Sequence, residues 1–494
     1  MRKRCKSKIL LLIVGIICAT VLIGCGRKGT DVDTTKPSQE CTEDTTTSEE
    51  DVSQSTEIQS ESAMPEETES LEESETQSES DNSNMVIYGN QQFIHYVHLL
   101  EGKRVAIYSN QTGIVGAISS NNFSGVSDET SLIKFGLDAD GNEVTYGQHI
   151  LDALLERGVN VTTIFCPEHG FRGGANAGEV IDNTVDEKTG IPIVSLHEYT
   201  TLRPEQKDID TFDVLIIDIQ DVGLRYYTYY IAMFYLMDAC AANGKEVIVL
   251  DRPNPNGFYV DGPILQDAFK SGVGMLPIPI VHGMTFGELA QMMNGEGWLS
   301  SGKNSCDLTV IPCKNYTHQT KVPLIISPSP NLKDMKSIYL YSSTCFFENT
   351  VVSVGRGTEY PFHIYGSPYL QGEEGYEFEF VPVSMAGATY PVFQGTTCYG
   401  VDLRDKPLKE IWGEKINLNY LIGAYTTIHA SYPEISFWGN QDKYGRYYID
   451  LLCGTDTVRK MIEEGCTAEE IKASWQEDID GFLVQRRPYL LYAE

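Results

Sequence analysis

The chain has 494 residues, of which 41% are hydrophobic, and it carries a formal net charge of −32. This acidic surplus argues against a nucleic-acid partner, because binding to a phosphate backbone depends on clustered lysines and arginines. About 410 residues follow the first 85. That is more than one ordinary hydrophobic core holds, so the length predicts two domains.

Residues 1–24 have the pattern of a secretion signal peptide, with a basic start and then an apolar run. The run is short for a membrane span. It ends in Leu22-Ile23-Gly24-Cys25, which resembles the bacterial lipobox, and this resemblance implies cleavage before Cys25 and attachment of lipid to its thiol. The alternative is an uncleaved N-terminal anchor. Under both readings we expect the chain to lie outside the cytoplasm, held at the cell membrane.

Residues 29–84 consist mainly of Ser, Thr, Glu and Asp, with almost no aromatic or branched apolar residues. Such a segment cannot bury enough surface to offset its ordering entropy, which predicts disorder. Together with Cys25 it makes residues 25–85 a lipidated acidic tether. A flexible tether of this length has a root-mean-square span of roughly 40 Å, enough to hold a folded domain away from the membrane.

Between residues 86 and 300, short apolar runs alternate with longer helical patterns, which predicts a Rossmann-like catalytic domain built on a mostly parallel sheet. Each of the four clearest strands is followed by a polar loop. These strands are Arg104–Tyr108, Val161–Phe165, Asp213–Asp218 and Glu246–Leu250. Ligands in open α/β sheets bind beyond the carboxyl ends of the strands, so the four loops predict one site.

The alternation breaks near residues 297–307, and residues 301–494 are richer in Pro, Gly and aromatic residues. We predict a smaller α+β domain there that closes a cleft over the first domain. Its end is predicted to be helical at Val458–Ile462 and again from Ala468 towards Leu483. Eight of the twelve cysteines fall in the globular part without a CxxC pair or a metal-like spacing, so neither a zinc site nor a dense disulfide framework is indicated.

The segment Pro167-Glu168-His169-Gly170 follows the second of these strands. Glycines after it allow a ligand to approach the backbone, so Glu168 is well placed for proton transfer and is the first catalytic candidate. His169 and Arg172 are candidates for substrate binding beside it. The alternative is that Glu168 caps the following helix or pairs with Arg172.

The end of the third strand gathers acids, an amide, a cation and a tyrosine, namely Asp218, Gln220, Asp221, Arg225 and Tyr227. Arg225 could hold a carboxylate through both of its terminal nitrogens, while Asp218 or Asp221 binds hydroxyl groups or serves as a second catalytic carboxylate. A structural ion pair between Arg225 and one of these acids is the competing interpretation.

Five more residues complete the set of predicted substrate contacts. Asn110 lies in the first of the loops, and Asp251 and Asn254 follow the fourth strand, where simple turn chemistry is the alternative. Glu348 and Arg356 belong to a polar cluster of the second domain that could close the cleft from above. Glu348 is another candidate for the second carboxylate, and Arg356 could instead be a solvated loop cation.

Several other enzyme classes lack their fingerprints. The closest match to a GxSxG elbow, Val351-Val352-Ser353-Val354-Gly355, has no first glycine, which disfavours a serine hydrolase. Neither GxGxxG nor a Walker sequence occurs, and no cofactor is indicated. Glu288, three residues after Thr285, is predicted to form a helix capping box rather than a catalytic site.

Many ordered blocks together resemble glycoside hydrolase family 171, the exo-β-N-acetylmuramidases, which were formerly classed as a domain of unknown function. The resemblance runs from about Gly102 to the C-terminus. The blocks are Ser109-Asn110-Gln111-Thr112-Gly113, Pro167-Glu168-His169-Gly170, Asp218-Ile219-Gln220-Asp221-Val222-Gly223, Tyr227-Thr228, Leu250-Asp251-Arg252-Pro253-Asn254-Pro255, Gly283-Met284-Thr285, Gly355-Arg356-Gly357-Thr358 and Arg486-Arg487-Pro488-Tyr489-Leu490-Leu491-Tyr492.

This resemblance implies a Rossmann-like domain joined to a second domain, with the active cleft between them. It implies hydrolysis of terminal N-acetylmuramic acid from the non-reducing end of peptidoglycan fragments, with Glu168 as the catalytic glutamate. The lactyl carboxylate of muramic acid would be bound by Arg172, Arg225 or Arg356. The chain departs from the family pattern at Ser195-Leu196-His197-Glu198, where a tyrosine-glycine stretch is common, so this loop could alter the size of the accepted substrate.

Two other functions remain open from the sequence. A tethered α/β lipoprotein could bind a wall sugar without cleaving it, in which case a chromogenic muramide would saturate the protein without turnover. A wall esterase would be inhibited by serine-reactive phosphonates. The sequence identifies no protein partner.

Overall fold

A computed structural model describes residues 86–115, 133–137, 143–167, 171, 184–196, 203–300, 305–324 and 326–494, with the backbone alone described for 133–137 and 143–146. The predicted signal peptide, Cys25 and the tether lie outside these residues. All described residues belong to one compact unit.

The described part contains twelve strands. They are β1 (Arg104–Ser109), β2 (Ile133–Leu137), β3 (Glu143–Tyr146), β4 (Asn160–Cys166), β5 (Thr184–Val185), β6 (Pro192–Ser195), β7 (Val214–Asp218), β8 (Glu246–Leu250), β9 (Asp307–Ile311), β10 (Ile364–Ser367), β11 (Phe378–Phe380) and β12 (Cys398–Asp402).

Seven strands form the large sheet, in the order β5-β6-β4-β1-β7-β8-β9. All neighbours in it run parallel except β5, which is antiparallel to β6. The four strands predicted from the sequence are confirmed. They are almost continuously apolar because both faces of a parallel sheet are covered, and all five residues of β7 are buried. The sheet continues past residue 300, since β9 pairs with β8.

Helices cover this sheet and build the rest of the unit. They are α1 (Ile150–Glu156), α2 (Gln206–Ile209), α3 (Tyr229–Asn243), α4 (Phe286–Gly295), α5 (Met335–Thr344), α6 (Leu408–Glu414), α7 (Asn419–Ser431), α8 (Tyr448–Cys453), α9 (Thr457–Glu463), α10 (Ala468–Ala473) and α11 (Gln476–Arg486). Within the described residues, no helix combines the length and the apolar character that a membrane crossing needs.

The predicted capping box at Thr285 is confirmed, whereas the predicted continuous helix after Ala468 is not. The capping box is confirmed, because Thr285 Oγ1 accepts from the backbone N–H of Glu288 at 3.3 Å and Glu288 Oε2 accepts from that of Thr285 at 2.8 Å. The single helix expected from Ala468 towards Leu483 is wrong. The chain breaks into α10 and α11 at Trp475, which leaves the helical conformation and buries its side chain to 3% exposure.

A smaller antiparallel sheet, in the order β10-β12-β11, lies in the C-terminal part among helices α5 to α11. The predicted fold class, a mostly parallel α/β sheet with a smaller α+β part, is therefore confirmed. One large buried cluster includes side chains from both parts, for example Leu215 and Phe347. The eight cysteines from Cys166 to Cys466 are free thiols.

Candidate active site

The topology of the large sheet selects the edge at which a ligand would bind. The chain passes from β1 to β4 and β6 on one side, and then returns to β7, β8 and β9 on the other side of β1. In open α/β sheets the crevice at such a switch of direction is the usual binding place. The carboxyl ends of β4, β1 and β7 lie next to one another at this edge, and the residues that follow these strands in the sequence include the first catalytic candidates.

The loop after β1 is shaped by Asn110, which is fully buried. Its Oδ1 accepts hydrogen bonds from the backbone N–H of Thr112 at 2.9 Å and from Thr112 Oγ1 at 2.6 Å. Its backbone oxygen contacts His149 Nε2 at 2.8 Å. Within the described residues Asn110 Nδ2 has no hydrogen-bond partner, so this amide retains an unused donor at the edge of the sheet.

Asp218, at the end of β7, is held in a buried ion pair with Arg252. Arg252 donates from Nε to Asp218 Oδ1 at 2.6 Å and from its Nη2 to Oδ2 at 3.1 Å. The two side chains are 1% and 3% exposed. Asn90 Nδ2 also donates to Oδ2 at 3.1 Å. Both carboxylate oxygens of Asp218 are therefore occupied. An ion pair between Asp218 and Arg225 was the structural alternative predicted from the sequence, and it is wrong, because Asp218 pairs with Arg252.

Asp221 lies three residues further along and has a different environment. Its Oδ2 accepts from the backbone N–H of Gly223 at 2.7 Å, whereas its Oδ1 has no partner among the described residues. Burial raises the pKa of this carboxyl to about 7. A carboxyl that titrates near neutrality can exchange a proton with a reacting group at physiological pH.

His282 faces Asp221 and was not among the sequence candidates. Its Nδ1 accepts from the backbone N–H of Met284 at 3.2 Å, so the neutral ring carries its proton on Nε2, which lies 4.0 Å from Asp221 Oδ2. Burial lowers the pKa of His282 to about 3. The ring is therefore neutral at pH 7 and does not stabilise ionised Asp221 as a cation would.

The amide side chains near Asp221 are occupied by backbone groups. Gln220 Nε2 donates to the carbonyl oxygens of Asp221 and Pro253, both at 2.8 Å. Asn254 Nδ2 donates to the carbonyl of Met284 at 2.8 Å. Gly223 has φ of +77°, and a Cβ there would lie 2.2 Å from Asn254 Oδ1. These contacts tie the loops after β7 and β8 together.

Asp251 connects three distant segments and is fully buried. It accepts hydrogen bonds from Thr285 Oγ1 at 2.7 Å, from the backbone N–H of Gly287 at 2.7 Å and from Tyr492 Oη at 2.6 Å. Burial raises its pKa to about 6. The carboxylate oxygens of Asp251 thus bind the start of α4 and the C-terminal segment. The sequence predicted only a substrate contact or a turn residue at this position.

Arg225 and Tyr227 also bond to the protein itself. Arg225 is fully buried and donates to the carbonyls of Pro263, Ile278 and Leu452 at 2.6–2.9 Å. This leaves its guanidinium no exposed face for a substrate carboxylate. Tyr227 Oη donates to the carbonyl of Pro328 at 2.7 Å, which anchors the segment after β9 to the loop after β7.

Glu348 and Arg356 form an ion pair in the C-terminal part. Arg356 Nε and Nη2 both donate to Glu348 Oε1, at 2.9 and 2.6 Å. The side chain of Glu348 is 20% exposed and that of Arg356 is 30% exposed. Unlike Arg225, Arg356 remains partly open to solvent and keeps donors for a further anion.

Three candidates, Glu168, His169 and Arg172, lie outside the described residues, as do His197 and Glu198 of the departing loop. The structure places their flanking residue Pro167 directly after β4. The described residues contain no group of His, Cys, Asp and Glu side chains arranged to hold a metal ion.

Comparison with known proteins agrees with this architecture. The models of the exo-β-N-acetylmuramidase NamZ N-terminal and C-terminal domains match residues 138–336 and 339–492. The peptidoglycan β-N-acetylmuramidase NamZ of Bacillus subtilis is 34% identical over an alignment of 413 residues, and the alignment covers 80% of this chain and 89% of that protein.

Two solved structures of DUF1343 family proteins from Bacteroides fragilis are also similar. One is 50% identical with a TM-score of 0.69, and the other is 27% identical with a TM-score of 0.66. Each alignment covers 83% of this chain and 99% of the solved chain. The family matches confirm the resemblance seen in the sequence, and the chain belongs to the exo-β-N-acetylmuramidase NamZ family.

Proposed function

We propose that the protein is a glycoside hydrolase that removes terminal N-acetylmuramic acid from the non-reducing end of peptidoglycan fragments, as part of cell-wall turnover. Family membership carries this proposal, since a curated relative named for this activity aligns with most of the chain. The described residues at the ends of β1 and β7 include acids and amides of the kind that glycoside hydrolysis uses.

In the proposed reaction Glu168 is the general acid. It donates a proton to the oxygen of the β-1,4 bond as the bond from that oxygen to the anomeric carbon breaks. The anomeric carbon then gains the oxygen of water. A second carboxylate either takes a proton from that water or stabilises the oxocarbenium-like transition state.

Among the three candidates for the second carboxylate, the contacts favour Asp221. Both oxygens of Asp218 are bound by Arg252 and Asn90, and Glu348 is held by Arg356. Asp221 keeps one oxygen without a partner among the described residues and has no cation as an ion-pair partner there. A base needs a free oxygen, which Asp218 lacks, and Glu348 is committed to an ion pair through Oε1, so Asp221 is the best-suited acid of the three.

The lactyl carboxylate of muramic acid requires a cation with free donors. Arg225 is excluded from this role by its burial against three carbonyls. Arg356 is partly exposed and oriented by Glu348, which suits the bidentate binding of a planar carboxylate. We therefore assign Arg356 to this carboxylate, with Arg172 as a second candidate outside the described residues.

Hydrolysis of 4-nitrophenyl N-acetyl-β-muramide tests the proposed function. We expect release of nitrophenolate, and little release from the matched N-acetylglucosaminide, which lacks the lactyl group that Arg356 would bind. The value of kcat/KM should rise as the pH increases through about 7, because Asp221 must lose its proton to act as a base and burial raises its pKa to about 7.

The variant Asp221→Asn serves as the control for this pH dependence, because it keeps the size of the side chain and removes the titration. It should lose the rise near pH 7 together with most of the activity. A wild-type protein that binds the muramide without turnover would contradict the hydrolase proposal. An unchanged pH profile in Asp221→Asn would contradict only the role of Asp221.

We also propose that the protein is a lipoprotein, anchored outside the cytoplasm through lipid on Cys25 and separated from the membrane by residues 26–85. The lipobox-like sequence and the acidic composition of the segment support this arrangement. Replacing Cys25 with alanine in the producing bacterium should remove the lipid. Incorporation of labelled palmitate that persists in the Cys25→Ala protein would contradict the proposal.

A further inference from the structure

The side chains of His282 and Asp221 face each other, and each keeps a buried polar atom unused. His282 Nε2 lies 4.0 Å from Asp221 Oδ2, and the two side chains are 1% and 8% exposed. Within the described residues, neither His282 Nε2 nor Asp221 Oδ1 has a hydrogen-bond partner. Buried polar groups without a partner are uncommon because they cost stability, so two of them side by side point to a role in function.

The hydrogen on the His282 ring is directed towards Asp221. His282 Nδ1 accepts from the backbone N–H of Met284 at 3.2 Å, so the neutral ring carries its hydrogen on Nε2. Burial lowers the pKa of His282 to about 3, and the charges of Arg486 and Arg225 lower it further. The ring therefore stays neutral near pH 7 and offers Asp221 an N–H donor without a positive charge.

The backbone around His282 is held against the loop that carries Asp221. Val281 forms an antiparallel bridge with Leu224. On the other side of His282, Arg486 Nη1 donates to the carbonyl of the next residue at 2.6 Å. Because the backbone is fixed on both sides, any approach of Nε2 to the carboxyl comes from rotation of the two side chains.

The titratable groups near Asp221 in the described part of the chain include three tyrosines from other positions of the fold. They are Tyr108, Tyr227 and Tyr230. The hydroxyls of the first two donate to backbone carbonyls at 3.1 and 2.7 Å, and that of the third accepts from a backbone N–H at 3.0 Å. Burial raises the pKa of each, so all three are neutral at the pH at which Asp221 titrates.

We propose that His282 is a positioning residue for Asp221, whose Nε2–H turns onto Oδ2 as this carboxyl ionises and leaves Oδ1 to take a proton from water. A shift of about 1 Å reduces the separation to hydrogen-bond distance. The backbone N–H of Gly223 already donates to the same oxygen, at 2.7 Å. Two donors on Oδ2 favour the ionised form and fix the direction of Oδ1. The proposal rests on the proposed function, in which Asp221 is the base.

Loss of the His282 donor should raise the pKa of Asp221 by about one unit, since a hydrogen bond to a charged group contributes a free energy of that order. Below both pKa values the ionised fraction of Asp221 then falls about tenfold, whereas above them it is almost unchanged. The value of kcat/KM relative to wild type should therefore fall about tenfold near pH 6 and very little near pH 9. A purely structural defect would lower both values equally.

Two variants separate the roles of the two ring nitrogens. In His282→Asn the amide oxygen replaces Nδ1 as an acceptor for the N–H of Met284, but no donor reaches the position of Nε2. In His282→Gln an amide N–H reaches that position. We expect the loss near pH 6 on the nitrophenyl muramide in His282→Asn, and recovery of most of it in His282→Gln. The matched control His95→Asn, at an exposed histidine, should follow the wild-type profile.

The carbon-13 resonance of the Asp221 carboxyl reports its titration without turnover, and Asp221→Asn assigns the signal. We expect a midpoint near pH 7 in the wild type, about one unit higher in His282→Asn and near the wild-type value in His282→Gln. Equal midpoints in the three proteins would overturn the proposal. If the midpoints differ as expected but the wild type hydrolyses no muramide, the contact between His282 and Asp221 stands and the enzymatic proposal alone fails.

A measurement on the wild-type protein decides the question even if a variant folds poorly. The resonance of the Nε2–H proton of His282 should move downfield as Asp221 ionises, because the hydrogen bond to the carboxylate forms at that point. Its midpoint should equal that of the Asp221 carboxyl, in protein labelled with nitrogen-15 histidine. A resonance that stays constant between about pH 5 and 9 would contradict the proposal, as would protonation of the ring in this range.

Discussion

Replacing Glu168 with glutamine should lower kcat for hydrolysis of a muramic-acid-containing disaccharide by about 100- to 10,000-fold. Positioned general acids contribute acceleration of this order. The leaving group of such a substrate is a sugar alkoxide, which departs only if it receives a proton. Glutamine has nearly the same size as glutamate but cannot supply that proton, so binding should change far less than turnover.

The leaving group shows whether Glu168 is the proton donor. Nitrophenolate departs without a proton, so Glu168→Gln should lose much less activity on the nitrophenyl muramide than on the disaccharide. Equal losses on both substrates would show that Glu168 acts in another way. The matched control is Glu187→Gln, at an exposed glutamate of the same predicted domain, and it should leave both activities at the wild-type level.

Structural features that depend on neighbouring residues, such as strands and helix caps, were predictable from the sequence. Runs such as Glu246–Leu250 are too apolar to lie at a surface and too short to be typical helices, and the strand has these same bounds in the structure. The capping box of Thr285 and Glu288 was also readable, because it depends on a spacing of three residues. The break at Trp475 was not, since it depends on a contact with Asp261, 214 positions away.

The roles of the site residues were also not predictable, because they depend on contacts between residues that are far apart in the sequence. Asp218 ends β7 and Asp221 follows three residues later, and as side chains the two are chemically identical. Asp218 meets Arg252 because β7 and β8 are neighbours in the sheet, and the order of strands is not written in any local pattern. Arg225, although close to both acids in sequence, points instead to backbone carbonyls. His282 reaches Asp221 from a loop 61 residues away and offered no motif of its own.

The second large effect should be on stability, at Asp218. Replacing it with asparagine should lower the free energy of unfolding by about 3–5 kcal/mol, because the guanidinium of Arg252 would stay buried without its counter-charge. Equilibrium unfolding in urea measures this effect, with tryptophan fluorescence and circular dichroism recorded on the same samples. Coincident transitions by both probes would justify a single free energy.

The matched comparison is Glu246→Gln, which breaks the ion pair between Lys103 and Glu246. Those side chains are 33% and 40% exposed, so water screens them and the loss should be about 0–1 kcal/mol. Each variant removes one negative charge from an ion pair, so a difference in their free energies of unfolding measures the effect of burying the pair. If Asp218→Asn instead kept wild-type stability and abolished hydrolysis, Asp218 would be the second catalytic carboxylate, and Asp221 would lose that assignment.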